Sequence, residues 1–275
     1  MKIREITKRA EASRKGAVSF VTNLSDYFSQ HPYLDKIVRF SEFYRHVQNA
    51  EVLARKRGWA YASQKTLDAV GINLVVEGEG NIPQESPNLY FGNHPWGMLE
   101  GLAIMSALEK PTNLRGRNFK IVANYLLEGI KGLDQKMIFI HPGRKVSLNF
   151  SGFKNLIAHV KQENDLVVLP AGSACSWNWS KFRMEDPNWK ENFAGILPYF
   201  ENAVPIRFSG PRNGILYTLT SIIHAPSRGG LFFRELCNKK GSIVKLTIGS
   251  PVKTCDLQGT RAEKVKYLRS LSEAL

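Results

Sequence analysis

The spacing of the apolar positions changes near residue 70. Before that point, large apolar residues recur every three or four positions, as expected for one face of a helix. They are Phe20, Leu24, Tyr27 and Phe28, followed by Ile37, Phe40 and Phe43. We therefore predict an N-terminal helical region over residues 1–70.

The first helix of this region is predicted to be strongly basic. Its charged residues are Lys2, Arg4, Lys8, Arg9, Arg14 and Lys15, against Glu5 and Glu11. A basic amphipathic helix followed by aromatic residues can lie on an anionic membrane surface. An apolar stripe also commonly docks on the core of its own domain. Both interpretations stay open for the first helix, and docking is favoured for residues 37–43.

From residue 72 onward, short apolar runs alternate with helical patterns. The predicted strands are residues 72–78, 88–93, 119–124, 136–142, 165–172, 203–210 and 242–249. The predicted helices follow Gly97 and cover residues 150–164, 189–202 and 260–275. Several strands are too apolar to have a face in water. The alternation predicts an α/β domain over residues 71–275, with a central, mostly parallel or mixed sheet flanked by helices.

The composition indicates a folded protein with an anionic partner. Of the 275 residues, 43% are hydrophobic and 23% are charged, which allows a sizeable core. The 38 Lys and Arg against 24 Asp and Glu give a net charge of +14. Such an excess favours nucleic acid, an anionic lipid surface or a phosphorylated substrate as partner, unless it serves only solubility.

The three cysteines are widely spaced and form no Cys-x-x-Cys pair. This spacing argues against a disulfide framework and against a zinc site, so we expect no metal. No apolar run is long enough to cross a bilayer, and the N-terminus lacks the apolar segment of a signal peptide. We expect a cytoplasmic protein that is peripheral to the inner face of the membrane.

The stretch NHPWGMLEG, residues 93–101, places a titratable pair after the second predicted strand. Functional groups of α/β sheets collect in loops beyond the carboxyl ends of strands. Gly97 permits a turn, so we expect a helix to start near Met98. Glu100 then falls in the first helical turn and points back toward His94. A carboxylate there can orient the imidazole and stabilise its protonated form, which predicts a general-base dyad.

The dyad has simpler alternatives and one strict requirement. A single histidine in a loop is often structural, and the helix dipole alone favours Glu in a first helical turn. Six positions of ideal helix amount to a rotation of about 600°. The pairing of His94 with Glu100 therefore requires residues 95–97 to be non-helical.

The same stretch resembles the first motif of the glycerolipid (lysophospholipid) acyltransferase superfamily. It is most similar to the hemolysin-like, ornithine-lipid-type branch, whose pattern is NHP-x-G-x-L-D/E-G. As in that branch, five residues separate the histidine from the acid. The preceding residues 75–92 resemble the lead-in of the branch, and the likeness covers roughly residues 72–275.

Later segments resemble further motifs of the family in the same order. Residues 136–147 resemble the second motif, with Arg144 at the position of its arginine. Residues 166–177 resemble the third motif, and residues 186–197 resemble the segment that follows it in the branch. Residues 203–214 resemble the fourth motif.

The resemblance implies an acyltransferase fold and a set of site residues. The catalytic residues would be His94 and Glu100, and the substrate-binding residues Arg144, Gly172, Ser173, Arg212 and Asn213. The implied reaction moves a fatty acyl chain from an acyl thioester to a hydroxyl or amine of a lyso-lipid or an N-acyl amino acid. His94 would be the general base.

The implied partners follow from this reaction. They are acyl carrier protein or coenzyme A as the thioester carrier, a lipid acceptor and an anionic membrane surface, with no bound cofactor. Amides near Gly172 could stabilise the tetrahedral oxyanion. Arg144 and Arg212 could bind an acceptor phosphate or carboxylate through paired hydrogen bonds.

Two departures from the family leave the acceptor open. Ala171 stands where the main family has Glu, and Ser173 stands where the branch often has a charged residue. Two other classes of function therefore remain: an inactive family member that binds membrane or carrier protein, and a nucleic-acid-binding protein that uses Trp177 and Trp179. The basic residues are dispersed and no nucleic-acid motif occurs, so we expect no nucleic-acid partner.

Overall fold

The computed structural model describes residues 5, 19–84, 87–109, 118–140, 146–223 and 230–275. Two sequence predictions fall outside these residues: the basic helix that carries Lys2 to Lys15, and the substrate-binding residue Arg144. All structural statements below concern the described residues.

The N-terminal region is helical, as predicted. It contains helices α1 (Phe20–Ser29), α2 (Pro32–Val38) and α3 (Phe40–Val70), and Gly58 kinks α3. Phe28, Phe40 and Phe43 are buried, which confirms docking for most of the predicted stripe. Ile37 is exposed instead, because the chain turns through Arg39 in a left-handed conformation between α2 and α3.

All seven predicted strands are confirmed. They are β1 (Asn73–Glu77), β2 (Asn88–Gly92), β3 (Phe119–Asn124), β4 (Met137–Ile140), β5 (Asp165–Val168), β8 (Asn202–Ser209) and β9 (Ile243–Ile248). The main sheet has the order β1-β9-β8-β2-β5-β3-β4. Its neighbours are parallel except β8 and β9, so the sheet is mixed and mostly parallel.

Three short strands were not predicted. Strands β6 (Ser176–Asn178) and β7 (Arg183–Glu185) form a separate hairpin, and β10 (Val252–Lys253) pairs antiparallel with the first residues of β8. Each spans only two or three residues, which is too short for an alternating pattern to show in the sequence.

The helices that flank the sheet confirm three predictions and correct one. Helices α4 (Leu99–Leu108), α5 (Val146–Lys161) and α8 (Arg261–Glu273) were predicted. Residues 189–202 instead contain a 3-10 helix, Glu191–Tyr199, with Pro198 inside it. Proline has no amide hydrogen and its ring clashes with an α-helical backbone. Helices α6 (Ile215–Ile223) and α7 (Phe232–Cys237) were not predicted.

Strand β2 divides the core between the two faces of the sheet. Tyr90 faces one cluster, while Leu89 and Phe91 face the other, as the alternation of a strand requires. Helices α1, α3 and α4 cover the first face, and α5 and α8 cover the second. The N-terminal helices therefore pack into the same core as the sheet. Among the described residues, no helix combines the length and apolar character needed to cross a bilayer.

Strands β8, β2 and β5 are adjacent and parallel, so their carboxyl ends meet at one edge of the sheet. The loop after β2 carries His94, the loop after β5 carries Gly172 and Ser173, and the loop after β8 carries Arg212 and Asn213. The topology thus gathers the described site residues from three separate parts of the sequence.

The close approach of β2 and β8 predicts a strict requirement for glycine at position 92. A Cβ atom on Gly92 would lie 2.5 Å from the carbonyl oxygen of Ile206 and 2.7 Å from its Cγ1. We expect Gly92→Ala to lower the free energy of unfolding by about 2 kcal/mol, measured by urea denaturation. Gly80→Ala is the matched control, because a Cβ there meets nothing within 4 Å. Equal stability of the two variants would contradict this account.

Candidate active site

The loop after β2 is fastened to β8 by one side chain. The Asn93 side-chain oxygen accepts a hydrogen bond from the Phe208 amide at 2.7 Å, and its side-chain nitrogen donates to the Phe208 carbonyl at 2.8 Å. Asn93 therefore continues the pairing of β2 with β8 past the last strand residue. This fixes the point from which the His94 loop departs.

The turn that follows has the geometry that the dyad requires. Residues 95–98 are non-helical, Gly97 has a φ of +97°, and α4 starts at Leu99 with Met98 as its N-cap. The expected helix start near Met98 is thus confirmed. Glu100 lies in the first turn of α4, and its Oε1 accepts hydrogen bonds from the amides of Trp96 and Gly97. The carboxylate holds the turn in place.

The Glu100 carboxylate also contacts the imidazole of His94. His94 Nδ1 and Glu100 Oε1 are 3.2 Å apart. Nδ1 forms no regular hydrogen bond, so we regard the contact as an ion pair when the imidazole is protonated. Glu100 is fully buried, whereas His94 keeps 17% of its side chain exposed. Because Nδ1 is buried, the exposed part of the ring lies on the side that carries Nε2.

Burial and charge act in opposite directions on both groups. Burial alone would lower the pKa of His94, but the negative charge of the adjacent Glu100, with a smaller contribution from Asp186, raises that pKa above its usual value. Burial alone would raise the pKa of Glu100, but His94 and the Trp96 amide hold it below its usual value. The site therefore combines an ionised carboxylate with an imidazole that is more basic than usual.

A second carboxylate, Asp186, holds the main chain of His94. The His94 amide donates to both Asp186 carboxylate oxygens, at 3.0 and 3.1 Å. The thiol of Cys175 and the indole of Trp189 each donate to Asp186 at 3.3 Å. Burial raises the pKa of Asp186, although these hydrogen bonds oppose the shift. The His94 carbonyl in turn accepts from the Cys175 amide at 2.9 Å, so both main-chain polar groups of His94 are bound.

The role of Asp186 was missed at the sequence level. Its position was noted only as part of a segment that resembles the family. Ninety-two residues separate it from His94, so no local spacing relates the two. The Asp-Pro pair that follows the short β7 strand is the only local signal of a constrained carboxylate at this point.

The loop after β5 lies against the His94 loop through Cys175. Gly172 has a φ of +67°, a left-handed conformation that favours glycine at this position. The Gly172 amide donates to the Leu169 carbonyl at 2.9 Å within the turn, so this amide is not free to bind an oxyanion. The amide of Ser173 makes no hydrogen bond within the described part of the chain.

The loop after β8 contacts the His94 loop directly. The Asn213 side chain donates to the Pro95 carbonyl at 2.9 Å, and the Trp96 indole donates to the Pro211 carbonyl at 2.9 Å. Asn213 thus supports the His94 turn with its side-chain nitrogen. Arg212 is exposed, and its guanidinium makes no hydrogen bond or ion pair with the described residues.

A buried ion pair supports the loop after β8. Lys239 Nζ and Glu235 Oε2 are 2.8 Å apart, with both side chains almost fully buried. Glu235 also accepts from the Gly214 amide, and Lys239 donates to the Arg212 carbonyl. Apart from the ion pair itself, Glu235 and Lys239 therefore bind the main chain of the two residues that flank Asn213. Buried charges with such partners fix a loop in one conformation.

The raised pKa of His94 predicts a specific response to mutation of Glu100. In an NMR titration, His94 should have a pKa above the ordinary value of about 6.5. Glu100→Gln removes the charge that favours the imidazolium but leaves the burial, so the pKa of His94 should fall.

His159 provides the internal control in the same spectra. It is buried, its Nε2 donates to the Asp165 carbonyl at 2.8 Å, and burial lowers its pKa. Its titration should be the same in both proteins. An unchanged pKa of His94 in Glu100→Gln would show that the two groups are not coupled.

Comparisons with known proteins identify relatives of this chain. No protein-family model matches it. Two proteins named lyso-glycine lipid O-acyltransferase are similar in sequence. The match to the one from Phocaeicola vulgatus is 26% identical over 221 residues, and it covers 76% of this chain and 75% of the relative. The match to the one from Bacteroides thetaiotaomicron is 25% identical over 225 residues, and it covers 76% of this chain and 76% of the relative.

A solved structure, the 1-acyl-sn-glycerophosphate acyltransferase PlsC from Thermotoga maritima, covers 94% of this chain and 90% of its own, at 14% identity and a TM-score of 0.48. The two sequence relatives align with three quarters of this chain and both are lipid acyltransferases by name. On that likeness, this chain is similar to lipid acyltransferases over about three quarters of its length.

Proposed function

We propose that this protein transfers a fatty acyl chain from an acyl thioester, on acyl carrier protein or coenzyme A, to a hydroxyl group of a lyso-lipid. The proposal is carried by the contact between His94 Nδ1 and the buried Glu100 carboxylate, 3.2 Å apart. This contact leaves the opposite side of the imidazole to act as a general base. The names of the two sequence relatives favour a hydroxyl acceptor over an amine.

The proposed reaction needs no covalent enzyme intermediate. His94 Nε2 removes the proton of the acceptor hydroxyl as its oxygen attacks the thioester carbon. A C–O bond forms, and the carbonyl oxygen becomes a tetrahedral oxyanion. Collapse of this intermediate breaks the C–S bond, and the imidazolium returns the proton to the departing thiolate. Glu100 stabilises the imidazolium between the two proton transfers, as the carboxylate of a histidine–acid pair does.

The oxyanion needs hydrogen-bond donors close to the reacting carbon. Gly172 is unsuitable because its amide is used within the turn. We assign this role to the amide of the next residue, Ser173, which makes no hydrogen bond within the described part of the chain. Backbone amides suit the task because the turn fixes their direction before the substrate binds.

The acceptor proposed here carries an anionic headgroup. The relatives are named for a lyso-glycine lipid, and a glycine joined through its nitrogen would keep a free carboxylate. The exposed guanidinium of Arg212 can bind a carboxylate through two parallel hydrogen bonds. Ala171, at the position of the main family's Glu, is buried in an apolar cluster with Phe91 and Leu166. Because position 171 carries alanine and no carboxylate, this position does not repel an anionic headgroup.

The alternative of an inactive binding scaffold fits the site less well. Burial of an ionised carboxylate costs free energy that a purely structural turn does not require. A scaffold needs the shape of the loop but has no use for an imidazole with a raised pKa. The combination at His94 and Glu100 therefore favours catalysis.

The proposed roles of His94 and Glu100 predict the following activities. His94→Ala should remove nearly all transfer of a radiolabelled acyl chain from acyl-ACP or acyl-CoA to a lyso-lipid. Glu100→Gln should lower kcat by about 10²-fold or more, because the imidazolium loses its counter-charge. In wild type, kcat/KM should fall as the pH drops through the raised pKa of His94, because only the neutral imidazole accepts a proton.

His31→Ala is the matched control, since it removes an exposed imidazole that bonds only to the Tyr27 carbonyl and stacks on the same residue. It should transfer acyl chains at the wild-type rate. Thermal unfolding should confirm that all three variants are folded. Full activity of a folded His94→Ala variant would rule out the proposed mechanism.

The proposed headgroup contact predicts a separate kinetic effect. Arg212→Lys and Arg144→Lys keep the charge but lose the planar guanidinium, so they should raise the KM for the acceptor and leave the KM for the acyl donor unchanged. Arg183→Lys is the control, because the exposed Arg183 already pairs with Glu185 at 3.4 Å. If the acceptor KM is unchanged in both test variants, neither arginine binds the headgroup.

A further inference from the structure

Helix α6 exposes its apolar face. Ile215, Leu219 and Ile223 are spaced by four residues and lie on one face, where they are 80%, 48% and 81% exposed. The opposite face carries the buried residues Tyr217 and Ser221. An amphipathic helix on the surface of a water-soluble protein normally packs its apolar stripe against the core. The outward apolar face of α6 is therefore available to bind an apolar partner.

The β6–β7 hairpin exposes two aromatic side chains at its turn. Trp179 is 61% exposed and Phe182 is 74% exposed. Phe182 has a φ of +50°, which is uncommon for a bulky residue. The turn is nevertheless well defined, because the Asn178 side-chain oxygen accepts from the amides of Ser180 and Lys181. The aromatic side chains are thus displayed by an ordered turn.

Helix α6 and the hairpin form one surface. The Trp177 amide donates to the Ser221 hydroxyl at 2.9 Å, and the Tyr217 hydroxyl donates to the Cys175 carbonyl at 2.9 Å. The polar face of α6 therefore binds the base of the hairpin, and the apolar face is left outward. We call Ile215, Leu219, Ile223, Trp179 and Phe182 the apolar collar.

The apolar collar stands beside the opening of the His94 site. The amide of Cys175, at the base of the hairpin, donates a hydrogen bond to the His94 carbonyl. The side chain of Asn213, two residues before α6, donates a hydrogen bond to the Pro95 carbonyl in the same loop. The hairpin and helix α6, which carry the collar, thus directly follow the loops that bind the His94 turn. A surface that covers the collar would therefore lie close to the loops that bind the His94 turn.

The surroundings of the collar are basic. Lys181, Arg183 and Arg212 are exposed next to it, and Glu185 is the one carboxylate that pairs with Lys181 and Arg183. Three cations with one carboxylate give this region a net positive charge. The whole chain is also positive, with a net charge of +14. Such a ring attracts anionic headgroups. It disfavours a second copy of the chain, because a symmetric contact would bring the same cations together.

We propose that the apolar collar docks on an anionic phospholipid bilayer, with Trp179 and Phe182 at the level of the headgroups and helix α6 lying in the interface. The proposal rests on the proposed transfer to a lipid acceptor. Aromatic side chains are favoured at the boundary of water and lipid, and an apolar helix face with basic neighbours suits the same position. Docking in this orientation brings the opening of the His94 site to the layer that holds the acceptor.

The test is sedimentation of the full-length protein with vesicles of phosphatidylcholine and phosphatidylglycerol. The collar variant is the triple change Ile215→Ser, Ile223→Ser and Phe182→Ser. We expect its partition coefficient to fall at least tenfold below that of wild type. Tyr199→Ser is the matched control, because Tyr199 is also an exposed aromatic residue but precedes β8 and lies at the opposite edge of the sheet. The control should bind as wild type does.

A second measurement separates docking from catalysis. The ratio of transfer to a vesicle-borne acceptor over transfer to a short-chain, monomeric acceptor should fall about tenfold in the collar variant. The ratio cancels any change in the chemical step. If His94→Ala kept full transfer, the proposed function would fail, whereas the sedimentation result would still decide whether the collar binds lipid.

Three outcomes would overturn the proposal. Unchanged sedimentation of the collar variant would place membrane binding elsewhere in the chain, such as at the basic N-terminal residues. Equal loss of binding in Tyr199→Ser would show a general effect of surface substitution. A change from dimer to monomer in light scattering, with vesicle binding retained, would assign the collar to contact between copies of the chain.

Discussion

The buried carboxylate of Glu100 is the group on which the site depends. An ionised carboxylate away from water must be paired and hydrogen-bonded, or its burial strongly destabilises the fold. Glu100 meets this demand with the amides of Trp96 and Gly97 and with the imidazole of His94. The same three contacts close the turn after β2 and hold the carboxylate against the imidazole ring of His94. The shape of the loop and the chemistry of the site therefore have one physical cause.

The sheet supplies the rest of the support. Strands β8, β2 and β5 end side by side, so each loop that follows them can bond its neighbours. Asp186 holds the His94 amide, Cys175 holds the His94 carbonyl, and Asn213 holds the next carbonyl along the chain. A residue bound at its main chain from both sides keeps its side chain in a narrow range of positions. Rigid support of this kind is what proton transfer to a bound substrate requires.

The site and its surroundings combine three kinds of group: a charged pair, exposed apolar side chains and exposed basic side chains. The Glu100 carboxylate is fully buried and the His94 ring is partly exposed. Helix α6 and the β6–β7 hairpin, which follow the loops that bind the His94 turn, expose apolar side chains, and basic residues lie near them in the sequence. The proposed lyso-lipid acceptor likewise combines a hydroxyl, an acyl chain and an anionic headgroup. The groups at and near the site thus correspond in kind to the parts of the proposed substrate.

The sequence determined those parts of the protein that depend on neighbouring residues. Apolar runs were sufficient for the seven long strands. Local spacing allowed the contact of His94 with Glu100, because strand, turn and helix are contiguous there, and the resemblance to the acyltransferase motif favoured it. Tertiary structure alone decided the rest. Asp186 reaches His94 from 92 residues away, and the outward direction of α6 depends on which face the hairpin binds. Periodicity shows that a helix has two faces, but only the packing partners determine which of them is buried.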